Sequence, residues 1–110
     1  MKIYISTPIN GRKEERLGDR FIAARFRCGM LYEIISADKQ FDCYTEIITP
    51  FDVVPDSRMG ENEAMGKCIK AVLDCDAIYL DHAWQSSKGC NLEYRAAKIY
   101  GKDIFFHDTI

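Results

Sequence analysis

The sequence predicts an α/β fold: a doubly wound parallel sheet of about four strands in the order 2-1-3-4, with helices on both faces. Short β-branched or aromatic runs alternate with longer runs of helical period, in the order β-α-β-α-β-α-β. Such alternation implies a parallel sheet with helices across its faces. The third strand, "AIYLD" (77–81), is apolar almost throughout, as a strand covered on both sides is. Right-handed crossovers then leave few topologies, of which the flavodoxin- or Rossmann-like one places ligands beyond the carboxyl ends of the strands where their order reverses.

The first strand is "KIYI" (2–5), stopped by "STPING". Leu17, Phe21, Ala24, Cys28, Leu31 and Ile35 then recur at steps of four and three, one face of a long helix. Gly18 and Gly29 weaken that helix without abolishing it. Ile22, Phe26 and Met30 form a second apolar row, which suits either a broad core face or a helix between the sheet and a second subunit. "TEIITP" (45–50) reads as the second strand, and "FDVVPDSRMGEN" as a loop punctuated by Pro55 and Gly60. Met65, Cys68, Ile69 and Val72 mark a helix over about 61–74. Leu92, Ala96 and Ile99 mark a last helix, with Gly101 near its end, and "DIFFH" (103–107) is the fourth strand.

Length and composition narrow the function classes. The 110 residues suit one domain spanning 1–110, and 47% hydrophobic with 29% charged residues argue for a packed core rather than disorder. A net charge of −2 with scattered Lys and Arg lacks the basic stripe of nucleic-acid binders. No run approaches the ~20 apolar residues of a membrane span. "KIYIS" is too short for the apolar part of a signal peptide. Five cysteines without CxxC spacing read as reduced, mostly buried thiols of a cytoplasmic protein.

Two loops meet at the reversal point between strands one and three. "STPINGR" offers the hydroxyls of Ser6 and Thr7, a flexible Gly11, Arg12 and backbone N–H groups at a helix start, which is an anion cradle or a capped turn. It is neither a Walker sequence nor G-x-G-x-x-G. In "DHAWQSSKG", Ser86 and Ser87 can cap the following helix or hydrogen-bond a phosphate, and Gly89 lets backbone approach a ligand. Glu93 then lies about one turn into the helix, where the macrodipole alone would favour an acid. Asp81 is a loop cap or a carboxylate of the site, and Trp84 a packing residue or a stacking platform. His82 and His107 lack partners at metal-ligand spacing, so neither a metal nor a cofactor is expected.

These segments resemble a known family. "KIYISTPINGR", together with "DCDAIYLDHAWQSSKGCNLEYRAAKIYGKDIFF" at 74–106, is similar to the nucleoside 2-deoxyribosyltransferase superfamily. The resemblance extends to the deoxynucleoside 5′-monophosphate N-glycosidases, whose Ser-x-Gly-x-x-x-Glu motif reads here from Ser87 through Gly89 to Glu93. It implies a Glu nucleophile at Glu93 attacking C1′ of deoxyribose, with Tyr4 hydrogen-bonding nearby. It implies a 5′-phosphate held by Ser87 and by the backbone of Ile9, Asn10 and Gly11. The candidate catalytic residues are thus Glu93, Tyr4 and Asp81. The candidate substrate and phosphate residues are Thr7, Ile9, Asn10, Gly11, Arg12, Trp84, Ser87 and Gly89.

The sequence departs from the family in three places. Cys68 stands where the enzymes carry an Asp, Ala83 replaces the Gly before Trp84, and Thr7-Pro8 replaces Gly-Ser or Gly-Pro. Three readings follow. One is an N-glycosidase or deoxyribosyltransferase acting on 2′-deoxynucleosides or their monophosphates, as a hydrolase or a transferase. Another is a nucleotide-binding module with impaired catalysis. The third is a different activity on this fold, such as a phosphatase or flavin protein, although a flavin domain would want a longer phosphate loop. The expected partners are a small nucleoside or nucleotide and a second copy of the chain, as a homodimer or higher homo-oligomer.

Overall fold

The computed structural model describes residues 1–9, 17–54 and 58–109. Its elements are β1 (Lys2–Ser6), α1 (Leu17–Ala37), β2 (Glu46–Ile48), α2 (Pro50–Val53), α3 (Glu61–Asp74), β3 (Ala77–Leu80), α4 (Lys88–Ile99) and β4 (Asp103–Phe106). Short 3₁₀ turns occupy Trp84–Ser86 and His107–Thr109. The four strands form one parallel sheet in the order β2-β1-β3-β4, the topology that the alternating pattern predicts.

The register fixes which side chains share a face. Tyr4 pairs with Ile78 and Ser6 with Leu80, so these four point to one side, while Ile3, Ile5, Ala77 and Tyr79 point to the other. Cys68 of α3 and Glu93 of α4 lie on the Tyr4 side. On the other side, Cys28 of α1 donates from Sγ to Thr7 Oγ1 at 3.3 Å, just past the end of β1. Ile3, Tyr4, Ile5, Ile78, Tyr79 and Leu80 are all 0% exposed, which is why these strands are apolar on both faces.

The predicted stripe of α1 is buried at Phe21, Ala24, Cys28, Leu31 and Ile35. The second row is not part of the core: Ile22 and Phe26 are 68% and 74% exposed, and Met30 is exposed beside them. The 50–53 segment, read as loop, is the short helix α2. Pro50 opens it, where its missing N–H costs nothing, and the Asp52 carboxylate accepts the Thr49 N–H at 2.7 Å. This start cuts β2 short of the predicted 45–50. Phe51 of α2 meets Phe21 edge-on, with ring centroids 4.8 Å apart.

The stripe expected on the last helix is displaced. Leu92 and Ile99 face solvent, and the buried positions of α4 are Cys90, Glu93 and Ala97. Their spacing of three and four defines the inward face, and Glu93 lies on it. Gly101 ends the helix at φ 69, the left-handed conformation that glycine adopts without strain. Among the described residues no helix is long and apolar enough to cross a membrane.

Candidate functional site

The carboxyl end of β1 brings together a buried polar cluster. Tyr4 and Ser6 are two residues apart, so the strand aims both at the same face. Ser6 Oγ donates to Glu93 Oε1 at 2.9 Å, and both side chains are buried, Glu93 being 4% exposed. The Tyr4 hydroxyl lies beside Glu93 and Cys68 and shifts the ionisation of each, yet makes no hydrogen bond of good geometry to any described residue. A fully buried hydroxyl without a partner is uncommon and marks a place where an acceptor would be favourable.

Glu93 is the sixth residue of α4, past the first turn where the macrodipole acts. Its environment is set by burial instead. Burial raises its carboxyl from the ordinary 4.5 to about 7, opposed by the Tyr4 and Ser6 hydroxyls. Burial, and then the charge of Glu93, push the Tyr4 phenol well above its usual value. Burial also lifts the Cys68 thiol to about 11, so it is neutral near pH 7. Cys68, at the position that the resemblance assigns to an acid, therefore does face the Glu93 cluster, from the inward face of α3 that also carries Val72.

Ser87 is the N-cap of α4, and its Oγ accepts the Cys90 N–H at 3.2 Å. Asn91 braces the same turn by donating from Nδ2 to Ser87 O at 2.7 Å and to Gln85 O at 3.0 Å. Among the described residues a Cβ added at Gly89 would meet only Met65 Sδ at 3.5 Å and Ser87 Oγ at 3.8 Å, so packing against them does not demand glycine there. Ser86 is exposed and donates to Ala83 O at 2.7 Å. Ala83 holds φ 61, the single left-handed non-glycine among the described residues.

The remaining candidates fall elsewhere. Asp81, directly after β3, turns to the opposite side of the sheet from Glu93. There it accepts from Arg27 of α1 in a bidentate pair, Nη2 to Oδ1 at 2.8 Å and Nε to Oδ2 at 3.0 Å, and from the His82 N–H at 2.7 Å. Thr7 is buried on that side too, with Cys28. Trp84 packs on Tyr94 at 4.7 Å and Phe106 at 5.9 Å between ring centroids. Ile9 is half-buried against the core, and Asn10, Gly11 and Arg12 lie outside the described residues. Among the described residues no three His, Cys, Asp or Glu groups converge as metal ligands.

Two shallow cavities of about 270 and 330 Å³ lie against Phe51 and Thr49, and against Trp84 and Phe106. Neither is lined by Glu93, so the polar cluster rather than cavity size singles out the site. Sequence reasoning missed Ser6 as a partner of Glu93, although its two-residue spacing from Tyr4 carried the signal. Nothing local in the sequence announced Arg27 as the partner of Asp81.

Comparison with known proteins agrees with the fold. The family model described as Domain of unknown function (DUF4406) matches residues 1–106. Among solved structures, a 2-desoxiribosyltransferase from Leishmania mexicana superposes with a TM-score of 0.59 at 21% identity, covering 96% of this chain and 62% of that one. This chain thus spans less than two thirds of that protein, and at this identity the likeness is one of fold. No curated protein matches.

Proposed function

The chain belongs to the DUF4406 family and has a nucleoside 2-deoxyribosyltransferase-like fold, and from that premise we propose that it cleaves the N-glycosidic bond of 2′-deoxynucleosides or their 5′-monophosphates. The observation that carries the reading is Glu93: a buried carboxylate, uncompensated by any described cation, beside the buried Tyr4 hydroxyl. In the first step a Glu93 oxygen bonds to C1′ as the C1′–N bond breaks. The bonding pair leaves with the base, which takes up a proton. The transition state is oxocarbenium-like, and the carboxylate traps it as a glycosyl ester. Water, or a second base in a transferase, then attacks C1′, freeing Glu93 and losing a proton.

Attack requires ionised Glu93, so the rate should rise with pH through about 7. Tyr4 is placed to orient the carboxylate or a sugar hydroxyl. Ser87, Gly89 and the α4 N-terminus form one wall of a phosphate cradle in this reading, with Ile9, Asn10, Gly11 and Arg12 completing it, whereas the Thr7 side chain is taken up by Cys28. Trp84 bounds that edge as a packing residue. Asp81 supports the site through the turn after β3, as one half of an ion pair with Arg27.

One observation favours a second reading, a nucleotide-binding module with slow turnover. Cys68 offers a neutral thiol, a weak donor, where an acid would assist the leaving base. A single experiment separates the two: incubation with deoxynucleosides and their monophosphates, with free base followed by chromatography and binding by calorimetry. Base release supports the enzyme, and binding without release supports the module. Failure of both removes the reading. The proposal also includes self-association through Ile22, Phe26 and Met30, a mass that light scattering would give directly as twice the monomer or more.

A further inference from the structure

Ser6 ends β1 with a side chain that is 0% exposed, and its hydroxyl is directed at Glu93. We propose that Ser6 is the positioning residue for Glu93, holding one carboxylate oxygen so that the other is presented to the ligand. The inference rests on the assignment of Glu93 above and deepens it.

The groups facing Glu93 make the case. Tyr4 approaches from β1, Cys68 from α3 and Cys90 from α4 itself. Burial keeps all three in their neutral forms near pH 7: Cys68 and Cys90 are raised to about 11, and Tyr4 well above its usual value. None brings a positive charge. Among the described residues, the Ser6 hydroxyl is the one donor in good hydrogen-bond geometry with the carboxylate. A glutamate side chain has three rotatable bonds, and a donor on a central strand, with the Tyr4 hydroxyl beside the carboxylate, settles both which oxygen is held and where the other points. Because Oε1 accepts from Ser6, the bond favours the charged form and opposes the effect of burial. Strand alternation makes this geometry rigid: the backbone that places Tyr4 places Ser6 on the same face.

The test is a carboxyl-carbon NMR titration of Glu93 in the wild type, Ser6→Ala and Ser6→Thr. Loss of one hydrogen bond to a charged group should move the Glu93 midpoint upward by about one pH unit in Ser6→Ala. Ser6→Thr, which keeps the hydroxyl and suits a strand, should return it close to the wild-type value. Where base release is measured, the acidic limb of the kcat profile should move with the midpoint while KM changes little. An unchanged midpoint in Ser6→Ala would overturn the proposal, as would a Ser6→Thr shift as large as that of Ser6→Ala. If Ser6→Ala does not fold, Ser6→Cys, close in size and a weaker donor, takes its place with the same direction expected. Absence of base release from the wild type would count against the glycosidic reading alone, since the titration needs no turnover.

Discussion

The two faces of the sheet each bury a carboxylate at the carboxyl edge and treat it in opposite ways. Asp81, 3% exposed, is met by a bidentate guanidinium and a backbone N–H. Glu93, 4% exposed, is met among the described residues by the Ser6 and Tyr4 hydroxyls and by neutral thiols. Burying a charge is costly unless it is paired. Asp81 therefore belongs to the framework, where compensation makes it inert. No described cation relieves the cost at Glu93, and perturbed groups of this kind concentrate where chemistry occurs.

The largest expected effect comes from removing the uncompensated charge. Glu93→Gln should abolish base release by several orders of magnitude while making the protein more stable at neutral and alkaline pH. With its carboxyl raised from 4.5 to about 7, folded Glu93 holds a proton that the unfolded chain has lost. Wild-type stability therefore falls as pH rises from 4.5 to about 7 and stays lowered above it, by at most about 3 kcal/mol. Glu93→Gln removes that fall, so its melting temperature should exceed the wild type's at pH 8 and converge with it near pH 4. Reading Glu93 as an exposed first-turn charge would predict an almost unchanged stability instead. Melting curves across pH, beside chromatographic base release, distinguish the two.

Next comes the thiol on the Glu93 side. Cys68→Asp places a carboxyl where an acid can assist the leaving base. Such assistance is worth about 10²–10⁴-fold, so base release should rise measurably in that variant. The same change should lower the melting temperature, because a second buried acid joins Glu93 with no described cation beside them. A fast wild type that Cys68→Asp cripples would show that another group supplies the proton.

On the opposite face the expected effect is purely structural. Arg27→Met strands the Asp81 carboxylate and should cost about 2–3 kcal/mol. That is below the ~3–5 kcal/mol of a fully buried pair, because the Arg27 side chain is 33% exposed. The double variant Arg27→Met/Asp81→Asn should recover much of the loss. Denaturant unfolding measures both, and the Glu93 titration should move in neither. A shifted Glu93 midpoint in Arg27→Met would mean that the two faces are coupled.

Much of this arrangement was legible in the sequence, and the reasons for the gaps are physical. The strand order followed from alternation and the handedness of crossovers, which depend on little beyond chain chirality. The inner stripe of α1 followed from its period, since Phe21 through Ile35 repeat over four turns. The α4 face misled because Glu93 occupies a core position that hydrophobicity assigns to Leu92 or Ala96. A functional carboxylate in the core breaks the pattern used to find the core. Helix α2 hid in "TPFD", whose Thr-Pro start and Asp three residues later form a helix-entry signal too short to show a period. The Arg27–Asp81 pair spans 54 residues, beyond any local pattern. Ala83, which stands where the resemblance expects Gly, gained a physical meaning: its left-handed backbone is what Gly supplies without strain.

The smallest expected effect is at that turn. Ala83→Gly should stabilise the protein by about 0.5–1 kcal/mol, since a non-glycine residue in this conformation costs roughly 1–2 kcal/mol and glycine's greater unfolded freedom returns part of the gain. Thermal unfolding would register it, and a loss of stability would mean that the Ala83 methyl group packs favourably.

The most direct measurement is to trap the intermediate. A 2′-fluoro analogue of a deoxynucleoside monophosphate slows the breakdown of a glycosyl ester, so intact-mass and peptide mass spectrometry can locate the adduct after incubation. One added sugar phosphate per chain is expected, on Glu93, absent in Glu93→Gln and present in Asp81→Asn. An adduct on Asp81 or any other residue, or base release from the natural monophosphate with no adduct on Glu93, would contradict that expectation.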